Sequence, residues 1–363
     1  QFGLSDFEAS LLTTAYAAAQ FIGTPILGRL SDRMGRKPLL IISLLGTVIA
    51  NLMASLAPFA WFLLIARVLD GITGGNNSIA QAIISDITSP AQRTKAFGIF
   101  GATFRLGFVA GPPLSYLAQL VPPLPGFSSL GMSFVVSAAI ALIATGLCAI
   151  FLPETHQVCD QFELAWSDFK IGRILKSVRH PQLGRVFLLT FLSGFTFTIF
   201  TFAFQPFFLT VLGQTPGRLA LMFAMFGVIG FMTQVFALEP LRKQFNIITI
   251  LAFMLAARGI LFLLIPTFPT ITAFVLITIV FGAVNSFPLP LIESILSLRS
   301  GPQEQGEVLG TNASFLSLSN AIGPATAGLL VSFGYSLPFW VTGVLTVGVA
   351  GFALSLRQSA PTG

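Results

Sequence analysis

Charged residues are scarce in this chain, and their scarcity argues against a soluble protein. Asp, Glu, Lys and Arg make up 9% of its 363 residues, whereas a soluble globular chain carries about 25%. Hydrophobic residues reach 54% and collect in long runs, and a membrane-spanning helix needs about 20 mostly apolar residues. Because the backbone must satisfy its own hydrogen bonds inside lipid, runs of this length predict helices. We expect an all-α integral membrane protein.

Residues that bind metals or carry out covalent chemistry are equally scarce. The two cysteines, Cys148 and Cys159, have no metal or redox spacing, and His156 lies far from His180. The sequence contains no Gly-x-x-x-x-Gly-Lys-(Ser/Thr) loop, no His-Glu-x-x-His motif and no Gly-x-Ser-x-Gly motif. We therefore expect no enzyme activity, no metal site and no cofactor.

The distribution of basic residues predicts the topology. We identify eleven apolar spans, near 9–28, 38–57, 60–85, 95–121, 130–152, 185–212, 217–238, 246–266, 270–297, 307–333 and 335–356. The net charge of +6 comes from clusters in alternate loops, which the positive-inside rule places in the cytoplasm. This pattern indicates membrane topology and not nucleic-acid binding. The C-terminus is then cytoplasmic, and the opening segment 1–8 is an extramembrane loop on the other side.

A hydrophilic segment divides the chain into two bundles. Residues 153–184 separate a five-span N-terminal bundle, 1–152, from a six-span C-terminal bundle, 185–356, and a cytoplasmic tail follows at 357–363. Basic residues three apart in this linker suit one face of a helix at the membrane surface. One further span before the first would give the six-plus-six repeat of many secondary transporters.

A charged hairpin lies between the first two spans, in the run Gly28-Arg-Leu-Ser-Asp-Arg-Met-Gly-Arg-Lys37. Gly35 permits a positive φ in a tight turn. Arg36 and Lys37 are expected to anchor the loop at the cytoplasmic surface. Asp32 is expected to accept hydrogen bonds from a basic partner or from a helix N-terminus.

The third span contains an arginine, which raises the free energy of membrane insertion. Placing Arg67 at mid-membrane costs about 2.5–3.5 kcal/mol on insertion scales, so it must face protein, water or a partner. Asp70 lies three residues later on the same helix face and is its expected partner. Gly71 and Gly75 form a small-xxx-small surface for close helix packing.

The fourth span carries Gly107-Phe-Val-Ala-Gly-Pro112. The four-residue spacing of Gly107 and Gly111 predicts close approach of a neighbouring helix. Pro112 removes one backbone hydrogen bond and is expected to bend the helix.

These patterns together resemble the major facilitator superfamily, and within it the drug:proton antiporters that include the tetracycline efflux proteins. The resemblance covers the chain except for the family's first helix. It implies a fold of two six-helix bundles, and a conformational latch that holds the two halves in the outward-facing state. The latch residues that match the family hairpin are Gly28, Leu30, Ser31, Asp32, Gly35, Arg36 and Lys37.

The resemblance also implies further roles. It connects Arg67 with proton coupling, for which Asp70 and Glu293 are additional candidates. The antiporter motif is matched by Gly107, Gly111 and Pro112, and it implies export. Ser115 and Tyr116 stand where that motif has two glycines, which leaves import open.

A central substrate cavity is implied as well, lined by the family's first, fourth, seventh and tenth helices. Each candidate could instead make an interhelical hydrogen bond. We expect most of the Phe residues between Phe191 and Phe208 to face lipid, and a minority to stack on a flat aromatic substrate. The cavity candidates are Asn76, Asn77, Gln81, Arg105, Gln205 and Asn285.

The function expected from these features is secondary active export. Protons would enter while a small amphipathic or cationic compound leaves by alternating access, through a monomer in the plasma (inner) membrane. Two alternatives remain open: a symporter for a sugar or organic acid, and a transporter-like sensor that moves no solute.

Overall fold

The structure is a computed structural model that describes residues 2–155, 177–300 and 305–356. Within these residues the chain forms fourteen α-helices and one short π-helical segment. The first six helices are α1 (Asp6–Met34), α2 (Arg36–Ser55), α3 (Ala60–Thr73), α4 (Asn76–Ile87), α5 (Pro90–Leu120) and α6 (Gly131–Phe151). The others are α7 (Gly184–Pro206), α8 (Pro216–Phe236), α9 (Leu238–Gln244), α10 (Ile247–Thr267), α11 (Ile271–Asn285), α12 (Pro288–Arg299), α13 (Gln305–Phe333) and α14 (Leu337–Ser355).

Apolar runs become helices throughout the described residues. Eight helical segments there are long and apolar enough to cross a membrane. The predicted span 60–85 is interrupted between α3 and α4, where Gly74 and Gly75 supply two residues of weak helix propensity. The protein is a multi-pass α-helical membrane protein, and the count of eleven spans stays a prediction.

Helix α1 begins inside the segment predicted to be an extramembrane loop, so residues 6–8 are helical and not loop, while their extramembrane placement stays a prediction. Ser5 and Glu8 form a capping box: Ser5 N donates to Glu8 Oε2 at 2.8 Å, and Glu8 N donates to Ser5 Oγ at 3.2 Å. The hydrogen bonds from the Ser5 backbone and hydroxyl lower the pKa of Glu8 below its ordinary value. This reciprocal pair satisfies amides that would otherwise lack helical partners.

The chain divides into two compact units. The first comprises residues 1–4 and 12–169, and the second comprises residues 5–11 and 170–363. In the first unit α2 packs against α3 and α6. A Cβ on Gly71 would lie 2.3 Å from the Tyr16 carbonyl oxygen, and one on Gly75 would lie 2.9 Å from Thr24 Cα. The close packing predicted at both glycines is therefore confirmed, against α1.

In the second unit α10 packs against α14 and α7 against α13. The expectation that most Phe residues between Phe191 and Phe208 face lipid is wrong for four of them. Phe200, Phe204, Phe207 and Phe208 are each at most 3% exposed, in a cluster with Phe262, Phe274, Phe281 and Phe339. Offset and edge-to-face ring contacts hold this cluster together, for example Phe207 and Phe339 with centroids 4.9 Å apart.

The central part of the linker, 156–176, and the tail, 357–363, lie outside the described residues. The predicted surface helix with its basic residues Lys170, Arg173 and Lys176 is therefore untested.

Candidate functional site

The hairpin between α1 and α2 turns at a glycine, as predicted. Gly35 has a φ of +95°, a conformation that side chains other than glycine rarely adopt. A Cβ there would also lie 2.6 Å from Glu154 Oε2. Gly35 thus allows the chain to reverse direction close to an acidic side chain from the end of α6.

Arg36 is the centre of the charged network at this turn. Its Nη1 lies 2.5 Å from Asp32 Oδ1, and its Nε donates to Asp86 Oδ2 at 3.1 Å. Nη1 also donates to the Ser31 hydroxyl at 2.6 Å. Arg36 is 7% exposed, so its charge is shielded by protein, and its anchoring of the loop at the cytoplasmic surface stays a prediction. It is a buried cation placed between two carboxylates from α1 and α4.

Glu154 caps the N-terminus of α2. Its Oε1 accepts from the Arg36 backbone N–H at 2.9 Å, and its Oε2 accepts from Lys37 N–H at 3.2 Å. A carboxylate at this position satisfies free amides and interacts favourably with the helix dipole. The helix N-terminus is therefore capped by Glu154, while Asp32 takes the other predicted role and pairs with a base.

The remaining hairpin residues support this arrangement. Leu30 packs against an apolar cluster of α2 and α4. Gly28 would place a Cβ 3.5 Å from the Ser78 hydroxyl, an ordinary contact. All seven predicted hairpin residues therefore lie at the α1–α2 junction. Our sequence reasoning did not select Asp86 or Glu154, although an acid directly after the helix-ending Pro153 was a usable signal.

Arg67 and Asp70 form the predicted ion pair on α3. Arg67 Nη2 lies 3.1 Å from Asp70 Oδ2, and the two side chains are 19% and 11% exposed. The guanidinium also stands 5.0 Å from the ring centre of Phe134 and 5.7 Å from that of Tyr16. These rings add cation–π attraction. Nε and Nη2 are buried without well-directed hydrogen bonds in the described part of the chain.

The Gly-Pro segment of α5 differs from its prediction. Gly107 and Gly111 are exposed, and a Cβ on either would meet no described atom within 4 Å. The close helix approach predicted there is thus absent among the described residues. Helix α5 continues through Pro112 and Pro113 to Leu120. The side chain of Arg105 lies outside the described part of the structure.

The predicted cavity residues are divided between the two units. In the first, Asn76 and Gln81 are half-buried and Asn77 is exposed on α4. In the second, Gln205 is exposed near the end of α7 and Glu293 is exposed on α12. Asn285 is half-buried at the end of α11, and its amide oxygen accepts a hydrogen bond from Arg258.

Arg258 is a charged residue inside the predicted span 246–266 that sequence reasoning did not select. It is 2% exposed. Its Nη2 lies 3.1 Å from three oxygens, the Ser193 carbonyl, the Ser193 hydroxyl and the Thr196 hydroxyl. Its Nη1 donates to Asn285 Oδ1 at 3.3 Å. Among the described residues no carboxylate lies within ion-pair distance of it. The signal available was an arginine in a 21-residue apolar helix.

The chain is thus a multi-pass α-helical membrane protein with charged side chains, among them Arg67 and Arg258, largely buried between its helices. The chain matches the family model of the Major Facilitator Superfamily over residues 1–236 and 186–363, and it belongs to that family of membrane transporters.

Individual relatives agree with this assignment. Multidrug resistance protein 1 of Bacillus subtilis (strain 168) is 28% identical over 99% of this chain and 89% of its own length. Tetracycline resistance protein, class E, of Escherichia coli is 30% identical over 89% of this chain and 78% of its own length. A bacterial homologue of the human lysosomal transporter Spinster, solved inward-facing and unoccupied, has the same fold, with a TM-score of 0.75 and 17% identity over 99% of this chain and 90% of that one.

Proposed function

We propose that this protein is a secondary active exporter that moves small amphipathic compounds out of the cell while protons enter. Support comes from relatives named for multidrug and tetracycline resistance that align over most of the chain. In this proposal the protein acts as a monomer in the plasma (inner) membrane, and its partners are the substrate, protons and lipid.

The observation that carries the proposal is the network around Arg36. Alternating access needs two conformations of similar free energy, so that substrate and proton can shift the balance between them. Arg36 contacts Asp32 and Asp86, and Glu154 caps the same helix from the end of α6. Such a network stabilises one arrangement of α1, α2, α4 and α6 and can be disrupted as a unit. We propose that it acts as the conformational latch.

We propose the Arg67–Asp70 pair as the site where protons are coupled to this change. Protonation of Asp70 would remove the carboxylate that lies 3.1 Å from Arg67. The arginine would then lack its counter-charge in a largely buried position, which favours a rearrangement. Glu293 on α12 is the second candidate. The Gly107, Gly111 and Pro112 segment is proposed to favour export.

The proposed topology has eleven spans with a cytoplasmic C-terminus, in bundles 1–152 and 185–356 joined by the linker 153–184. Asn76, Asn77, Gln81, Arg105, Gln205 and Asn285 are proposed to contribute to the substrate cavity.

Everted membrane vesicles with an acid interior test the proposal. In them an exporter takes up drug while protons leave the lumen. The panel is tetracycline, tetraphenylphosphonium and a sugar, and the control is Arg67→Ala inserted at the same level. We expect uptake of a drug that stops on addition of a proton uncoupler, and loss of that uptake in Arg67→Ala.

Three results would contradict the proposal in different ways. Sugar movement in the opposite direction would favour the symporter, for which the departure at Ser115 and Tyr116 is the relevant observation. Absence of any flux from correctly inserted protein would favour a sensor. Normal drug uptake by Arg67→Ala would remove that residue from the coupling step.

A further inference from the structure

Arg258 is a buried cation surrounded by neutral groups. Its hydrogen-bond partners are Ser193 and Thr196 on α7 and Asn285 on α11. The Phe262 ring, one turn further along α10, has its centre 6.0 Å from the guanidinium carbon. Within the described residues its charge is therefore balanced by dipoles and a ring face, and not by a carboxylate.

This arrangement fixes the orientation of Asn285. An arginine has only hydrogen-bond donors, so an amide that faces it must present its oxygen. The NH₂ group of Asn285 then points away from Arg258 with both of its donors. The NH₂ group donates no hydrogen bond to any described residue. It is also not one of the buried polar atoms that lack a partner, so the group itself is not buried. The NH₂ group of this half-buried residue is thus accessible.

The charge behind the amide strengthens it as a donor. Hydrogen bonds in a chain polarise one another, and the effect is larger in a low-dielectric interior. An Asn that accepts from a guanidinium therefore donates more strongly through its NH₂ group. The matching ligand group is an oxygen with negative charge, since charge-assisted hydrogen bonds are the stronger class.

We propose that Arg258 is a positioning residue that makes Asn285 a donor for the carboxylate of a transported compound. Substrates would then be amphipathic molecules with an acidic oxygen at one edge. This inference rests on the proposed transport function, since it specifies the chemistry of the compound carried.

Rhodamine B and its ethyl ester test this assignment, because they share one ring system and differ in the carboxylate. Binding to the purified full chain in detergent is followed by fluorescence anisotropy at neutral pH. We expect rhodamine B to bind about tenfold tighter than the ester, the contribution of one hydrogen bond to a charged group.

Two variants separate positioning from folding. Asn285→Asp keeps an oxygen toward Arg258 and replaces the donors by a negative charge, so it should reverse the preference in favour of the ester. Arg258→Lys keeps the charge and loses the multiple hydrogen bonds, so the preference should fall to about twofold or less.

Asn312→Ala is the matched control. Asn312 is 3% exposed and accepts from the Thr190 hydroxyl at 2.5 Å, which links α7 and α13 away from Arg258. Its loss should leave the acid-to-ester ratio unchanged, because it removes a buried amide contact without changing the donor at position 285.

Equal binding of the two dyes by the wild type, or binding of neither, would overturn the inference. The same holds if Asn285→Asp keeps the preference for the acid. Tetracycline uptake in vesicles is measured in parallel, so that drug export with no carboxylate preference would refute this inference alone. Absence of export would refute the proposed function.

Discussion

Arg67 and Arg258 are two arginines inside predicted spans, and the protein stabilises their charges in opposite ways. Arg67, in the first unit, has a carboxylate 3.1 Å away and is 19% exposed in its side chain. Arg258, in the second unit, is 2% exposed and bonds to hydroxyls, a carbonyl and an amide. One charge depends on a single partner that can take up a proton, and the other on several that cannot.

This difference separates a titratable pair from a permanent cation. Removing one member of a buried ion pair leaves an uncompensated charge, at a cost of about 3–5 kcal/mol. Removing one of several neutral partners costs only the contribution of about one hydrogen bond to the free energy of unfolding. The proposed proton coupling therefore depends on the ion pair of the first unit, whereas the cation of the second unit has several neutral partners. Four changes test this comparison, in order of decreasing expected effect.

Asp70→Leu breaks the ion pair in the first unit and should have the largest effect. Arg67 would remain largely buried without a counter-charge, so the free energy of unfolding should fall by about 3 kcal/mol. Equilibrium unfolding in mixtures of dodecyl maltoside and SDS measures this change. The double variant Arg67→Met with Asp70→Leu should recover most of the loss. An equally unstable double variant would show that packing, and not charge, causes the effect.

Asp32→Asn removes one of the two carboxylates at Arg36 and leaves Asp86 in place. Folding should be retained because Asp32 is 44% exposed in its side chain and a second acid remains. Turnover should slow about tenfold, which corresponds to about 1.4 kcal/mol, with unchanged drug binding. Initial uptake rates in vesicles measure this. The exposed neighbour Arg33 is the control, and Arg33→Gln should transport normally; wild-type flux in Asp32→Asn would remove the latch role.

Asn285→Leu removes one neutral partner of Arg258. Three contacts to Ser193 and Thr196 remain, so unfolding should become easier by only about 1 kcal/mol. The same detergent titration measures the loss beside Asp70→Leu. A loss as large as that of Asp70→Leu would mean that the cation in the second unit depends on a single partner after all.

Glu8→Gln should have the smallest effect of the four changes. It removes a fully exposed charge that lies before the first predicted span. The pKa of Glu8 is lowered from its ordinary value of 4.5 by hydrogen bonds from Ser5. Its contribution is therefore complete above the unfolded-state pKa and is lost as pH falls through the lower folded-state value. After correction for the intrinsic pH dependence of exchange, the protection of amides at the start of α1 should be weaker at pH 3 than at pH 6. Gln keeps the capping box, so the pH dependence should disappear in the variant, and its persistence would assign it to another group.

Several parts of the site could be predicted because they depend on neighbours along the chain. Gly35 has the positive φ that a tight turn requires, and Asp70 pairs with Arg67 because residues three apart share a helix face. The contacts of Gly71 with α1 follow from the lack of a side chain. Predictions from the sequence are wrong where the contact depends on a residue far away along the chain. Gly107 and Gly111 have the spacing for close approach of a helix, yet no described atom lies within 4 Å of a Cβ at either position.

The sequence by itself determined that this protein is a membrane-embedded helical bundle with a charged hairpin, because apolar run length and local spacing control those features. The tertiary structure decided which acids compensate Arg36, since Asp86 is 50 residues away and Glu154 is 118 residues away along the chain. It also decided that Arg258 is surrounded by neutral groups and that four Phe residues of the α7 region are buried together. Such contacts join separate helices, and the helical pattern alone cannot specify which helix each face will meet.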